Sequence, residues 1–71
     1  MWQETQALLR RREQWSVAMA MSYLKNIESG LAILLVPAKL RNRLVGEQEQ
    51  IELALAEVRG QPVRLILHEM G

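Results

Sequence analysis

The most constraining stretch of this chain is Leu31 to Val36, an apolar run that meets Pro37 without a polar residue between. It is too short for a buried helix, and it lacks the alternation of a strand with one wet side. Such a run reads as a strand that is central in its sheet or covered on both faces. Pro37 cannot donate a ladder hydrogen bond, so it ends the strand, and its fixed φ suits the first turn of a helix. The chain therefore passes from a buried strand directly into a helix. The first charges of that helix are positive: Lys39, Arg41 and Arg43.

The flanking segments have readable periods. Residues 2 to about 21 follow a helical repeat that puts Leu8, Trp15 and Met19 on one side, with Leu9 and Trp2 at its edge. Arg12 falls inside that stripe. Ser16 is placed to cap a helix beginning at Val17, so the segment is either one long helix or two short ones bent near Ser16. The run Val17 to Met21 is apolar almost all round and is expected to be buried. In Tyr23 to Glu28, Tyr23, Lys25 and Ile27 alternate with Leu24, Asn26 and Glu28, and the turn "ESG" follows, so residues 23 to 36 read as a β-hairpin. Leu40, Leu44, Ile51, Leu55 and Val58 share a narrow arc of a helix from about 38 to 59, with Gly46 on its outward side. That helix is either continuous or broken at "VGEQ". Gly60 stands where a C-cap glycine belongs. "VRLILHE" supplies a third strand.

The expected order is α-β-β-α-β. A hairpin followed by a helical crossover makes the last strand parallel to Leu31–Val36, with a right-handed connection. The fold class is α+β: a three-stranded mixed sheet with helices on one face, the other face open and carrying several polar groups. The chain has 71 residues, enough for one small core. Its marginal size, Trp2 directly after Met1 and the end at Gly71 just past the last strand suggest a single domain, 1–71, excised from a longer protein.

Composition excludes several function classes. There is no cysteine, hence no disulfide framework or thiolate metal site, and cytoplasmic residence is the default. No apolar run approaches the roughly 20 residues of a spanning helix, and "MWQETQ" lacks the pattern of a signal peptide. His68 is the lone histidine and the chain has no aspartate, which removes the usual triads and histidine metal sites. Glu47, Glu49, Glu52 and Glu57 read as a solvated helix face rather than as paired acid/base groups. There is no P-loop, no GxGxxG and no GxxG clamp of the K-homology type. No catalytic residue, metal site, cofactor or small-molecule substrate is expected, and the chain reads as a non-enzyme.

The net charge of +1 gives no global pull toward nucleic acid or an anionic membrane. Two local clusters stand out: Arg10, Arg11 and Arg12, and then Lys39, Arg41 and Arg43. Cations at a helix start oppose its dipole, so the second cluster invites a functional reading as a contact for phosphates or for an acidic partner. The plain alternative is a solvated surface whose Lys/Arg stems cover the core edge. Trp2, Trp15 and Tyr23 are the only aromatic residues, which leaves little for base stacking.

Taken in order, "WQETQALLRRR", "SVAMAM", "YLKNIESGLAILLVP", "KLRNRLV", "IELALAEVRG" and "QPVRLIL" resemble the K-homology-like domain in the C-terminal region of the bacterial DNA polymerase III tau/gamma subunit, the clamp-loader subunit. The resemblance covers about residues 2 to 68. Initiator N-terminal domains and helicase-loader domains share the general pattern. Leu40 stands nearest the position where the family commonly has an aromatic residue. The resemblance implies an adaptor without ATPase motifs, linking the clamp loader to the polymerase catalytic subunit or to helicase. Direct nucleic-acid binding through the two basic clusters is the alternative, and self-association through the open sheet face is a third reading.

Overall fold

A computed structural model describes residues 1–70. The elements are α1 (Trp2–Arg11), α2 (Val17–Ala20), β1 (Tyr23–Glu28), β2 (Leu31–Pro37), a 3-10 turn (Ala38–Leu40), α3 (Arg41–Arg59) and β3 (Arg64–Met70). The sheet order is β1-β2-β3, with β1 antiparallel and β3 parallel to β2. This is the expected α+β architecture, and the apolar run is its central strand.

The core forms where β2 meets the helices. Ala32, Leu34 and Val36 on one side of β2 are fully buried, together with Leu44, Ile51, Ala54 and Leu55 of α3 and Leu9 and Met19 of the N-terminal helices. The arc of α3 is therefore the core arc, with Leu40 half-buried just before it. Gly60 ends α3 in the left-handed conformation (φ 81°), and its N–H donates to the Ala56 carbonyl. The hairpin turn places both Ser29 (φ 53°) and Gly30 (φ 79°) in the left-handed region. Two such residues give the twist that a two-residue hairpin connection needs.

Four local expectations are corrected. Of the two expected arrangements the chain takes two helices, the second from Val17, but α1 already stops at Arg11 and Glu13 (φ 58°) turns the chain, so Thr5 and Leu9 are fully buried while Leu8 and Trp15 are only half-buried against the core. In the run Val17–Met21 only Ala18 and Met19 are buried, while Val17 and Met21 are at least half exposed. A helix of four residues has room to cover only one side. Pro37 remains in the ladder as its last residue, opposite Met70, and α3 begins at Arg41 after the 3-10 turn. Finally, β1 does not keep a strict period of two. A bulge between Leu24 and Asn26 lets Leu24 and Ile27 both pair with buried positions of β2 (Leu34 and Ala32).

α3 runs unbroken through Gly46. A Cβ built there meets nothing within 4 Å. Gly46→Ala should therefore stabilise the chain by about 1 kcal/mol, raising the thermal midpoint by roughly 4–8 °C for a domain of this size. Circular-dichroism melting checks this, and an unchanged or lowered midpoint would mean that α3 needs flexibility at that point.

Candidate interaction surface

Two surfaces compete as functional sites: the basic clusters and the sheet face away from the helices. The clusters are apart. Arg12 forms an ion pair with Glu57 near the C-terminal end of α3, while Arg41 and Arg43 occupy its first turn. At 1.5 Å per residue, positions 41 and 57 lie about 24 Å apart along the helix. Most of these cations are also engaged within the chain. The Arg10 guanidinium lies over the Trp15 ring, 4.4 Å from its centroid. Arg41 Nε lies 3.6 Å from Glu69 Oε2, and Arg43 Nε lies 3.7 Å from Glu47 Oε2. Among the described residues, Arg11 and Lys39 have no carboxylate within ion-pair distance.

The glutamates are likewise not a uniform solvated face. Glu47 is half-buried and accepts a hydrogen bond from Ser16 Oγ at 2.8 Å. Ser16 thus stands at the N-cap of α2 without capping it through its side chain, because its hydroxyl is spent on α3. Glu52 accepts the Leu65 N–H at 2.6 Å, and Gln48 Nε2 donates to the Leu65 carbonyl at 2.6 Å. Glu49 alone of the four is exposed without a hydrogen bond or ion pair among the described residues. The perturbed carboxyl is Glu4, held below the ordinary value by a hydrogen bond from the N-terminal ammonium, with its own backbone N–H and that ammonium's charge adding to the effect. It is exposed on α1 and lines neither of the grooves found. Among the described residues no group of His, Cys, Asp or Glu is placed to hold a metal ion.

The open sheet face is more apolar than its sequence suggests. Strand register sets its rows: Glu28, Leu31 and Arg64; then Asn26, Ile33 and Ile66; then Tyr23, Leu35 and His68; then Pro37 and Met70. Tyr23 is 63% exposed, Ile66 44%, Met70 43% and Leu31 38%, with Ile33, Leu35 and Pro37 half-buried beside them. An apolar patch rimmed by polar groups is the usual mark of an interaction site. The sequence leads one to expect several polar groups on this face, and Glu28, Asn26, Arg64 and His68 supply them around the apolar centre. The bulge in β1 and the register of β3, which decide which residues join it, leave no periodic trace in the sequence.

A second feature is a groove of about 500 Å³ between the C-terminal half of α3 and the loop leading to β3, lined by residues that include Leu53, Ala56, Pro62 and Val63 with Glu49, Glu52 and Glu57 at its margin. No helix among the described residues is long and apolar enough to cross a membrane. No protein-family model, curated protein or solved structure matches this chain.

The Leu65 bonds generate a test. Glu52→Ala removes the acceptor of a buried strand N–H and should cost about 1–3 kcal/mol in urea unfolding, whereas Glu52→Gln keeps an acceptor and should lose less. Equal losses for the two variants would show that the carboxylate's charge matters and not its acceptor.

Proposed function

We propose that this chain is a non-catalytic protein-interaction module whose docking surface is the open face of its sheet. The observation that carries the reading is an apolar strip on the open face, in which exposed Leu31, Ile66 and Met70 surround half-buried Ile33 and Leu35, with exposed Tyr23 at its flank. Burying apolar area is the main driving force for protein association, and each exposed side chain of this kind contributes once it is covered. The resemblance to the tau/gamma domain supplies the setting: a cytoplasmic adaptor of the bacterial replication machinery, joining the clamp loader to the polymerase catalytic subunit or to helicase.

Two features weigh against the nucleic-acid alternative. Of the clustered cations, Arg12, Arg41 and Arg43 already face carboxylates and Arg10 faces Trp15. The clusters also sit near opposite ends of α3, too far apart to form one stripe.

Titration of the chain against purified polymerase catalytic subunit, helicase and labelled DNA, at low and physiological salt, tests the reading. Binding to one of the proteins should change little with salt and be lost in Ile66→Glu, while charge reversal at Arg10, Arg11 and Arg12 or at Lys39, Arg41 and Arg43 should leave it intact. Micromolar DNA binding that falls steeply with salt and disappears in one of the charge-reversed variants would replace this reading with the phosphate-binding one.

A further inference from the structure

We infer that in the free protein a second copy of this chain covers the open sheet face, in a two-fold arrangement whose axis lies between the copies and runs parallel to β2. The inference rests on the sheet face being the binding surface, and it names the occupant. The deciding observation is the charge pattern of that face. Glu28 lies on the β1 margin and Arg64 on the β3 margin of the same row, with Leu31 between them. Among the described residues neither takes part in an ion pair within the chain.

A two-fold axis parallel to the strands exchanges the two margins. β1 of one copy then covers β3 of the other, row for row, and β2 covers β2. Glu28 of each copy meets Arg64 of the other, so the row closes with two ion pairs. Tyr23 comes over His68 and Asn26 over Ile66. Along the axis Leu31, Ile33, Leu35 and Pro37 each meet their own equivalent. This is the self-complementarity that an isologous interface requires. A two-fold axis perpendicular to the strands instead turns the row of Arg64 toward the far end of the sheet, near Met70, and leaves Glu28 without a cation. Face-to-face sheets pack about 10 Å apart with strands inclined by roughly 30°, a gap and offset that the long Arg64 and Glu28 side chains span.

The small size of the face points to a weak dimer. Three strands of about seven residues present roughly 14 Å by 23 Å, or about 320 Å² per copy. That lies well below the ~800 Å² per partner of a standard interface, so the dimer is weak, with a dissociation constant on the order of 100 μM. A partner protein docking on the same face would compete with it.

Sedimentation equilibrium of the purified chain from about 10 μM to 1 mM reads this directly, with melting curves to confirm that each variant is folded. The wild type should shift from monomer to dimer across that range. Ile66→Glu should be monomeric throughout. Glu28→Arg and Arg64→Glu should each weaken the dimer by about tenfold, and the double exchange should restore it. A wild type that stays monomeric at 1 mM overturns the inference, as does a dimer that the double exchange fails to rescue. The interaction-module reading fails on separate measurements: polymerase or helicase binding that Ile66→Glu leaves unchanged, or the salt-steep DNA binding described above.

Discussion

The parallel pairing of β2 with β3 is the constraint from which the rest follows. Leu31 to Pro37 is matched residue by residue with Arg64 to Met70. Parallel strands cannot be joined by a tight turn, so the chain must leave the end of β2 and return to the start of β3. The 3-10 turn, α3 and the loop after Gly60 make that return, and α3 has to lie on one side of the sheet to do so. Its buried residues Leu44, Ile51 and Leu55 then meet Ala32, Leu34 and Val36. Removing a core side chain such as Leu34 would cost about 2–5 kcal/mol, a large part of the roughly 4–11 kcal/mol that a domain of this length has.

The same helix closes part of a sheet edge. Leu65 is the β3 residue whose N–H and carbonyl are taken by Glu52 and Gln48. These side chains lie four residues apart on α3 and therefore on one face of it. An uncovered edge strand invites pairing with another chain, and side-chain capping is one way to blunt it. The basic start of α3 has a related explanation. Arg43 faces Glu47, which holds Ser16 at the start of α2, and Arg41 reaches Glu69 on β3. Of the cations that oppose the helix dipole, Arg41 thus ties α3 to β3 and Arg43 pairs within α3, so the position of these two does not by itself call for an external anion.

Much of the fold was legible because it depends on local chemistry. An unbroken apolar run, a proline after it, an apolar arc at helical spacing and a glycine at the helix end each point to one local conformation. The rest depends on contacts between distant residues. The bulge at β1 is decided by which residues can reach Leu34 and Ala32, and the turn at Glu13 goes with α1 packing on α3, with Leu9 in the shared core. Ser16 was legible as a helix start but not as a donor to Glu47. The basic residues were easy to see as clusters in sequence, yet their pairing partners lie on other elements or later turns. The make-up of the open sheet face was the least legible, because its membership is set jointly by one bulge and one parallel register.

A chain of this size also explains why that face exists. Three α-helices can cover one side of three strands, and none is left for the other among the described residues. A domain of this kind could keep the second side polar throughout, as half-exposed antiparallel strands often do. Here β2 is apolar on both sides, and Ile66 and Met70 extend the apolar strip onto β3. Leu31, Ile33 and Leu35 contribute little to the helix-side core, since their side chains stand on the opposite face. Their apolar character is better matched to burial by something outside the monomer. The margins carry the complementary information. Glu28 and Arg64 leave the centre of the face apolar and hold charge at one row of its rim, the distribution on which both the proposed docking and its orientation rest.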